Sequence, residues 1–383
     1  MNANPDRRDS RPLRIVHICK VKGIAGAERH LLTLLPAQMQ AGDDVRMIVL
    51  EDPITPVPQF LSAAAARGVR VELVRTWHHL DPTLTNTLTD RLRHQSPDVV
   101  HTHLVHADVY GLPAARLAGV VATVSSRHDN NPFRRRHVMK WITHRAMRDA
   151  RRVVAISEAV ARFAREVEGV SAAAISVIPY GLDPVEMNQA TRVEARATLG
   201  CSRDAILVGA VGRLIHQKGI DVAIDAFSRI CQRFDRAQLI IVGDGPLRPA
   251  LQARVEQQRL GQRVRFAGWI EHAQTIMPAF DLMVMPSRWE GLGLAALEAM
   301  ACSRPLVASD VDALPEIVVH GTTGMLVRPD DAGALASAMA AYLDDPEEAA
   351  AVGEAGRQRV VERFSVAAMT RATRDVYRRA LTM

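Results

Sequence analysis

Two glutamates separated by seven residues stand in the segment SRWEGLGLAALEAM, residues 287–300. Glu290 precedes a turn that contains Gly291 and Gly293, and Glu298 falls about two turns into the helix predicted after it. Glycines at a helix start let a ligand approach the backbone N–H groups, and the helix dipole favours an anion there. The two carboxylates can accept hydrogen bonds from sugar hydroxyls and from a ribose diol. Isolated glutamates are more often solvated surface groups, but this spacing favours a sugar-nucleotide site.

A second loop carries two cations directly after the buried strand signal ILVGAV. The segment GRLIHQKG, residues 212–219, holds Arg213 and Lys218. Two cations at the carboxyl end of a strand suit a diphosphate. Only four of the 48 basic residues are lysines, which makes a lysine in a loop a better candidate for a specific role. The loop lacks P-loop spacing, and the alternative is a solvated surface pair.

A third segment, KVKGIAGAE at residues 20–28, places Gly26 at a predicted helix start after the first strand signal. A glycine-containing turn at a helix start again fits a phosphate group. Such turns also occur for packing, so this signal is the weakest of the three.

Short apolar runs alternate with helical patterns along the whole chain. Strands are predicted at residues 14–19, 45–50, 69–74, 98–101, 120–125 and 152–156, and again at 205–211, 238–242, 263–267, 282–285, 306–308 and 325–327. Helices are predicted at 27–39, 58–67 and 220–234, and three helices close the chain, the last at 366–381. This alternation predicts an α/β fold with two doubly wound parallel sheets, divided near the Pro/Gly-rich residues 178–184.

The charge of the chain is unevenly distributed. Residues 1–185 carry 25 Lys+Arg against 18 Asp+Glu, a net +7, whereas residues 186–383 carry 23 against 24, a net −1. Aromatics make up 4% without basic-aromatic interleaving, which argues against a nucleic-acid partner. Four scattered cysteines indicate reduced core thiols. No apolar run approaches the ~20 residues of a membrane span and the polar start lacks a signal core, so a cytoplasmic location is expected.

One basic stretch, residues 131–152, mixes arginines with apolar side chains. It contains Arg134, Arg135, Arg136 and Lys140 against one acid, Asp149. A basic helix with an apolar side suits an anionic lipid surface, which predicts peripheral contact with the inner face of the cytoplasmic membrane. The alternative is a domain helix that packs its apolar side inward and leaves its arginines in water.

Several segments resemble retaining glycosyltransferase family 4. GRLIHQKG, SRWEGLGLAALEAMAC and SDVDALPEIVVHGTTGMLVRP resemble the donor domain, and GAERHLLTL, DVVHTHLVHAD and IPYGLDP resemble the acceptor domain. The resemblance spans nearly the whole chain and is most specific at residues 205–330. It implies the GT-B fold, with two Rossmann-like doubly wound domains facing a central cleft. Residues 1–184 would form the acceptor side and 185–365 the donor-binding domain, with a helix at 366–383 crossing back to the first domain.

The resemblance also implies residue roles. Arg213 and Lys218 would hold the donor diphosphate, Glu290 the transferred sugar and Glu298 the ribose. The remaining implied positions are Gly26 near the phosphate, the donor loop Gly291, Leu292, Gly293 and Leu294, His128 near the sugar, and His103 on the acceptor side. The catalytic set is then Glu290, His128, Arg213 and Lys218. The sequence departs from the family pattern in two loops, with Ala25-Gly26 in place of a paired glycine and Ala295 in place of a proline.

The expected function is retaining transfer of a sugar from a UDP- or GDP-sugar to a lipid-linked, glycan or small-molecule acceptor, in cell-surface polysaccharide or glycolipid synthesis. No cofactor or metal is expected, because Asp310-Val-Asp312 matches a family-4 loop rather than a metal motif. His101, His103 and His106 lack a carboxylate or cysteine in ligand spacing, and His101 is expected to pack. The alternatives are a GT-B-type nucleotide-sugar epimerase or phosphorylase, or a non-catalytic sugar-nucleotide-binding protein.

Overall fold

The computed structural model describes residues 11–76, 81–183 and 189–382. The chain divides into two compact units. Unit 1 comprises Met1–Gly181 together with Val366–Met383, and unit 2 comprises Leu182–Ser365. Residues 184 and 185, between which the sequence analysis divides the domains, lie outside the described residues.

Unit 1 contains a seven-stranded parallel sheet in the order β3-β2-β1-β4-β5-β6-β7. Its strands are β1 (Arg14–Lys20), β2 (Asp44–Glu51), β3 (Arg70–Arg75), β4 (Val99–His103), β5 (Ala122–Arg127), β6 (Arg152–Ala155) and β7 (Ile175–Val177). Its helices up to residue 181 are α1 (Gly26–Gln40), α2 (Pro58–Ala65), α3 (Leu84–Gln95), α4 (Leu104–Leu117), α5 (His137–Met147) and α6 (Glu158–Glu166). The sequence prediction missed β7, because a half-buried strand of three residues gives no apolar run.

Unit 2 contains a six-stranded parallel sheet in the order β10-β9-β8-β11-β12-β13. Its strands are β8 (Ile206–Val211), β9 (Ala237–Val242), β10 (Val264–Gly268), β11 (Leu282–Met285), β12 (Leu306–Ser309) and β13 (Met325–Val327). Its helices are α7 (Gln189–Thr198), α8 (Ile220–Ile230), α9 (Arg248–Gln257), α10 (Leu294–Ala301), α11 (Leu314–Ile317), α12 (Ala332–Asp344) and α13 (Pro346–Arg363). Helix α8 ends four residues before its predicted end, where the chain turns and packs Phe234 against the unit 2 core.

The final helix, α14 (Val366–Leu381), belongs to unit 1. It buries Met369, Val376, Tyr377 and Ala380 in the same apolar cluster as residues of β1 and α1. A second cluster, built from α3 and α4, covers the opposite face of the sheet. Helices therefore cover both faces, as the doubly wound prediction requires, and the predicted α/β fold class is confirmed.

The strand orders locate the sites where ligands bind in such sheets. In unit 2 the chain runs from β8 outward to β10 and then returns to β11, on the other side of β8. In unit 1 the same reversal lies between β1 and β4. Ligands of open α/β sheets bind at these switch points, outside the carboxyl ends of the strands. Ligand-binding residues are therefore expected in the loops that follow β8 and β11 in unit 2, and in those that follow β1 and β4 in unit 1.

Candidate active site

The loops after β8 and β11 bring Lys218 and Glu290 together in unit 2. Lys218 ends a short 3-10 helix, His216–Lys218, and its Nζ forms an ion pair with Oε1 of Glu290. The hydroxyl of Ser287 donates a hydrogen bond of 2.8 Å to the same oxygen. Glu290 is only 4% exposed, so its charge is compensated largely by these two partners. Two residues that the sequence assigned to separate loops thus form one charged site.

Arg288 links the loop after β11 to the loop that contains Lys218. Its Nη1 donates a 2.7 Å hydrogen bond to the His216 carbonyl, and its guanidinium pairs with Asp221 and Asp330. Burial acts to raise the pKa of the Asp221 carboxyl, but the hydrogen bonds and charge of Arg288 outweigh it and lower that pKa. The sequence analysis did not assign Arg288, although it lies within the SRWEG segment, and the structure makes it a positioning residue for the Lys218 loop.

Asp312 supports the Glu290 loop. Its Oδ2 accepts a 3.0 Å hydrogen bond from the Glu290 backbone N–H, and its own φ is +45°, in the left-handed region. The second aspartate of the Asp310-Val-Asp312 segment therefore fixes the backbone at Glu290.

Glycines are required where these loops pass close to their neighbours. Gly219 has φ +61°, and a Cβ there would lie 1.9 Å from the Pro286 carbonyl oxygen. Gly293 has φ +96° and precedes α10, whose amino end has no side-chain cap. Along this loop Gly291 and Leu292 are buried and Leu294 is half-buried, and Glu298 is buried in α10. The uncapped amino end of α10 can therefore donate its N–H groups to an anion.

Arg213 begins the loop that ends at Lys218, but its side chain is exposed. In the part of the chain that the structure describes, no acidic side chain pairs with its guanidinium. Gly212 packs along the Lys218 side chain, and a Cβ at position 212 would lie 3.4 Å from Lys218 Cδ. The structure thus places Arg213 in the same loop as Lys218, as an exposed cation without an acidic partner among the described residues of unit 2.

His103 and His128 belong to a buried chain of hydrogen bonds in unit 1. The His128 Nδ1 is 2.8 Å from the Tyr180 hydroxyl, and its Nε2 is 3.0 Å from His103 Nδ1. The His103 Nε2 is 2.9 Å from His17 Nδ1, and His17 Nε2 is 2.9 Å from Gln38 Oε1. An amide oxygen only accepts, so with Gln38 in this orientation each histidine is neutral and donates from Nε2, with Tyr180 donating to His128.

The chain of hydrogen bonds continues from Gln38 to Tyr377 and His101. The Gln38 Nε2 donates to the Tyr377 hydroxyl at 3.0 Å, which lies 2.7 Å from His101 Nδ1. The other nitrogen of His101 is 2.8 Å from the Ser126 hydroxyl. His101 is buried, and both of its ring nitrogens take part in the hydrogen-bond chain.

Burial keeps these imidazoles neutral. It lowers the pKa of His17 and of His128 to about 4. Burial, together with neighbouring histidines, also lowers the pKa values of His101 and His103. The nitrogens of His17, His101 and His103 approach within 4.8 Å of one another, as a metal site requires. Every one of those ring nitrogens is already hydrogen-bonded, so the hydrogen-bond chain and a bound metal ion exclude each other.

Gly26 is the first residue of α1, and the Glu28 carboxylate lies at the same helix end. The Oε2 of Glu28 accepts a 3.1 Å hydrogen bond from the Ala25 N–H. That N–H group is therefore already used by a carboxylate, which makes this turn a weaker phosphate site than the amino end of α10.

The predicted membrane-facing role of Arg134 is wrong. Arg134 is 2% exposed and pairs with Asp129 and the fully buried Glu168. Arg127 contacts Glu168 as well, so both arginines compensate one buried carboxylate. This ion pair could not be predicted from the sequence, because Glu168 lies 34 residues away from Arg134. In contrast, Arg135, Arg136 and Lys140 are exposed.

Helix α5 forms 11 of the 22 residues of the predicted basic stretch 131–152. Two of its apolar side chains, Val138 and Trp141, are 70% and 69% exposed, so its apolar side is not wholly turned inward. Among the described residues, no helix has both the length and the hydropathy that a membrane crossing demands.

Family models match both halves of the chain. Residues 24–186 match the model described as Glycosyltransferase Family 4, and residues 205–345 match Glycosyl transferases group 1. The alpha-maltose-1-phosphate synthase of Mycolicibacterium smegmatis is 31% identical over 313 residues, covering 74% of this chain and 80% of that protein. The alpha-D-kanosaminyltransferase of Streptomyces kanamyceticus is 27% identical over 374 residues, covering 92% and 95%.

A solved structure supports the fold independently. Anabaena Alr3699/HepE in complex with UDP-glucose superposes with a TM-score of 0.82 at 22% identity, covering 97% of this chain and 100% of that one. The family matches, the relatives above 30% identity and this likeness agree with the two doubly wound sheets. The chain therefore belongs to the family 4 glycosyltransferases and has the GT-B fold.

Proposed function

We propose that this glycosyltransferase transfers a hexose from a UDP-sugar to its acceptor with retention of anomeric configuration. The observation that carries the proposal is the Lys218–Glu290 pair at the unit 2 switch point, beside the uncapped amino end of α10. UDP rather than GDP is favoured because Anabaena Alr3699/HepE was solved with UDP and with UDP-glucose.

In the donor site, the cationic residues act on the diphosphate and the carboxylates act on hydroxyl groups of the donor. Lys218 and Arg213 stabilise the negative charge that develops on the leaving diphosphate, together with the amino end of α10. Glu290 accepts a hydrogen bond from a hydroxyl of the transferred sugar, and Glu298 from the ribose. No carboxylate is assigned as a covalent nucleophile. The acceptor hydroxyl therefore attacks on the face from which the diphosphate leaves, and a donor phosphate oxygen takes its proton.

Two histidines of unit 1 act on the transferred sugar, His128 directly and His103 through His128. His128 contacts the sugar by exchanging its Tyr180 partner for a substrate hydroxyl, since both of its ring nitrogens are hydrogen-bonded. His103 is fully buried between His17 and His128, so its role is to position His128 rather than to contact the acceptor. The product would be a cell-surface glycan or a glycolipid.

Release of nucleoside diphosphate separates this function from its rivals. The purified chain is incubated with UDP-glucose or GDP-mannose, with and without acceptor probes such as dodecyl glucoside and 2-deoxystreptamine. A glycosyltransferase releases UDP faster with an acceptor and forms a glycosylated product. An epimerase converts the sugar nucleotide without releasing UDP, and a binding protein does neither; either result would refute the proposal.

We expect this activity to persist in excess EDTA. The reason is that the carboxylate of Asp312 already accepts the Glu290 N–H and so is engaged as a loop support. Initial rates before and after chelation, with the chelator then titrated by Mn²⁺ or Mg²⁺, check this. Complete loss of activity that either ion restores would show that the transfer depends on a metal.

We further propose that α5 and the turn before it contact an acidic membrane surface. Arg135, Arg136 and Lys140 are exposed there beside the exposed Trp141. Each basic residue near such a surface contributes about 1 kcal/mol, screened by salt. The chain should therefore sediment with phosphatidylserine-containing vesicles but not with pure phosphatidylcholine vesicles.

Exchange of Arg135, Arg136 and Lys140 for glutamine should abolish that sedimentation at physiological salt. The control exchanges three other exposed arginines of unit 1, Arg67, Arg70 and Arg75, with the same change in net charge. If both triple variants lose binding equally, or if neutral vesicles bind as well, the assignment to α5 is incorrect.

A further inference from the structure

A cavity of about 950 Å³ lies inside unit 1, between α4 and α5, near the carboxyl ends of β1 and β5. Its walls are mostly apolar, with Leu104 and Val109 on α4 facing Met139 and Ile142 on α5. The volume equals that of about thirty water molecules at liquid density. Ligand pockets have this size and this mainly apolar character.

One wall of the cavity carries the ammonium group of a lysine. Lys20, at the end of β1, lines the cavity and is 6% exposed. Within residues 11–76, 81–183 and 189–382 its side-chain ammonium group makes no hydrogen bond or ion pair. Burial lowers its pKa, and the nearby Lys22, which also lines the cavity, lowers it further, against the opposing charge of Asp52. An anion bound in the cavity would supply this ammonium group with a charged partner.

We propose that this cavity binds the hydrocarbon chain of an amphiphilic phosphate ester, with its phosphate on Lys20 and Lys22. Two ammonium groups match the charge of a phosphate, for which lysine is a common ligand. The apolar walls match the hydrocarbon, which would leave water on entering. The inference rests on the proposed function, because this amphiphile would be the acceptor of the same reaction.

The test uses alkyl phosphates below their micelle concentrations, titrated calorimetrically into the full chain. Affinity should increase from butyl to octyl phosphate by about fourfold for each added methylene group that is buried. Inorganic phosphate has only the phosphate group and octanol has only the hydrocarbon chain, so each should bind far more weakly than octyl phosphate. An affinity that does not depend on chain length would overturn the proposal.

Two single substitutions distinguish binding of octyl phosphate in the cavity from its adsorption to the protein surface. Lys20→Met should weaken octyl phosphate binding by about tenfold or more, since it removes a charge-assisted contact. The control, Arg70→Met, removes one positive charge from an exposed position of β3 outside the cavity lining, and should change affinity by less than about twofold. Equal losses in the two variants, with melting temperatures unchanged, would overturn the proposal.

A parallel UDP titration of the unmodified chain shows which idea fails. A chain that binds UDP but not octyl phosphate contradicts the amphiphile site alone. A chain that binds neither ligand contradicts the proposed function as well.

Discussion

Replacement of Lys218 by alanine is expected to lower turnover by about 10²-fold or more. Lys218 is the cation that pairs with the buried Glu290, and in the proposed reaction it also faces the departing diphosphate. Removal of a preorganised charge at developing negative charge has effects of this size. Arg213→Ala should have a similar effect on turnover, although Arg213 is exposed and pairs with no acidic residue in the described part of unit 2.

Initial rates of UDP release, with thermal unfolding of each variant, check this result. Arg233→Ala is the matched control, because Arg233 is an exposed arginine of unit 2 whose only recorded ion pair in the described residues is with Asp344. Its turnover should stay close to that of the unmodified enzyme. Near-normal turnover in both Lys218→Ala and Arg213→Ala would show that neither side chain holds the diphosphate.

Unit 1 is expected to lose stability as the pH falls from about 6.5 to about 4. Burial lowers the pKa of His17 and His128 from the 6.5 of an exposed histidine to about 4. Between these values the unfolded chain binds protons that the folded chain does not, so acid favours unfolding; above pH 6.5 the effect vanishes. At ~1.4 kcal/mol for each pH unit, the two histidines together cost several kcal/mol.

Cysteine trapping reports this loss separately for each unit. Cys19 is fully buried in unit 1 and Cys302 is fully buried in unit 2, so each thiol reacts only after its own unit opens. With a disulfide reagent that reacts in acid, Cys19 should be modified much faster at pH 4.5 than at pH 7, relative to Cys302. The variant His17→Gln should show a weaker dependence of the unfolding free energy on pH. Equal acid sensitivity of the two thiols would disprove the explanation.

The sequence predicted the sheets well because most of their strands are buried and give uninterrupted apolar runs. It also predicted the correct edge of unit 2 for Lys218 and Glu290, since both follow strands that flank a switch point. It did not predict their ion pair, because the two side chains are 72 positions apart and meet through tertiary contacts such as the close approach of Gly219 to Pro286.

The histidine chain and the burial of Arg134 have no sequence signature for a similar reason. A histidine within a strand can pack in the core, bind a ligand or join a chain of hydrogen bonds. Which of these it does depends on the residues that its ring nitrogens contact. The partner of Gln38 is Tyr377, which is 339 residues distant. The partner of Arg134 is Glu168, whose complete burial follows no periodic pattern. Such contacts follow from tertiary structure, whereas strands and loops follow from local sequence.

The position of α14 has a consequence for the order in which the protein is made. Unit 2 is continuous in sequence, so all of its residues have been synthesised once the ribosome passes Ser365. Unit 1 starts first but is completed last, because Val376, Tyr377 and Ala380 of its core come from the final helix. Until then the ring nitrogen of His101 and the amide of Gln38 lack their Tyr377 partner. Until α14 is synthesised, the amino-terminal half therefore lacks part of the apolar cover of one sheet face, which α1 and α2 cover only in part.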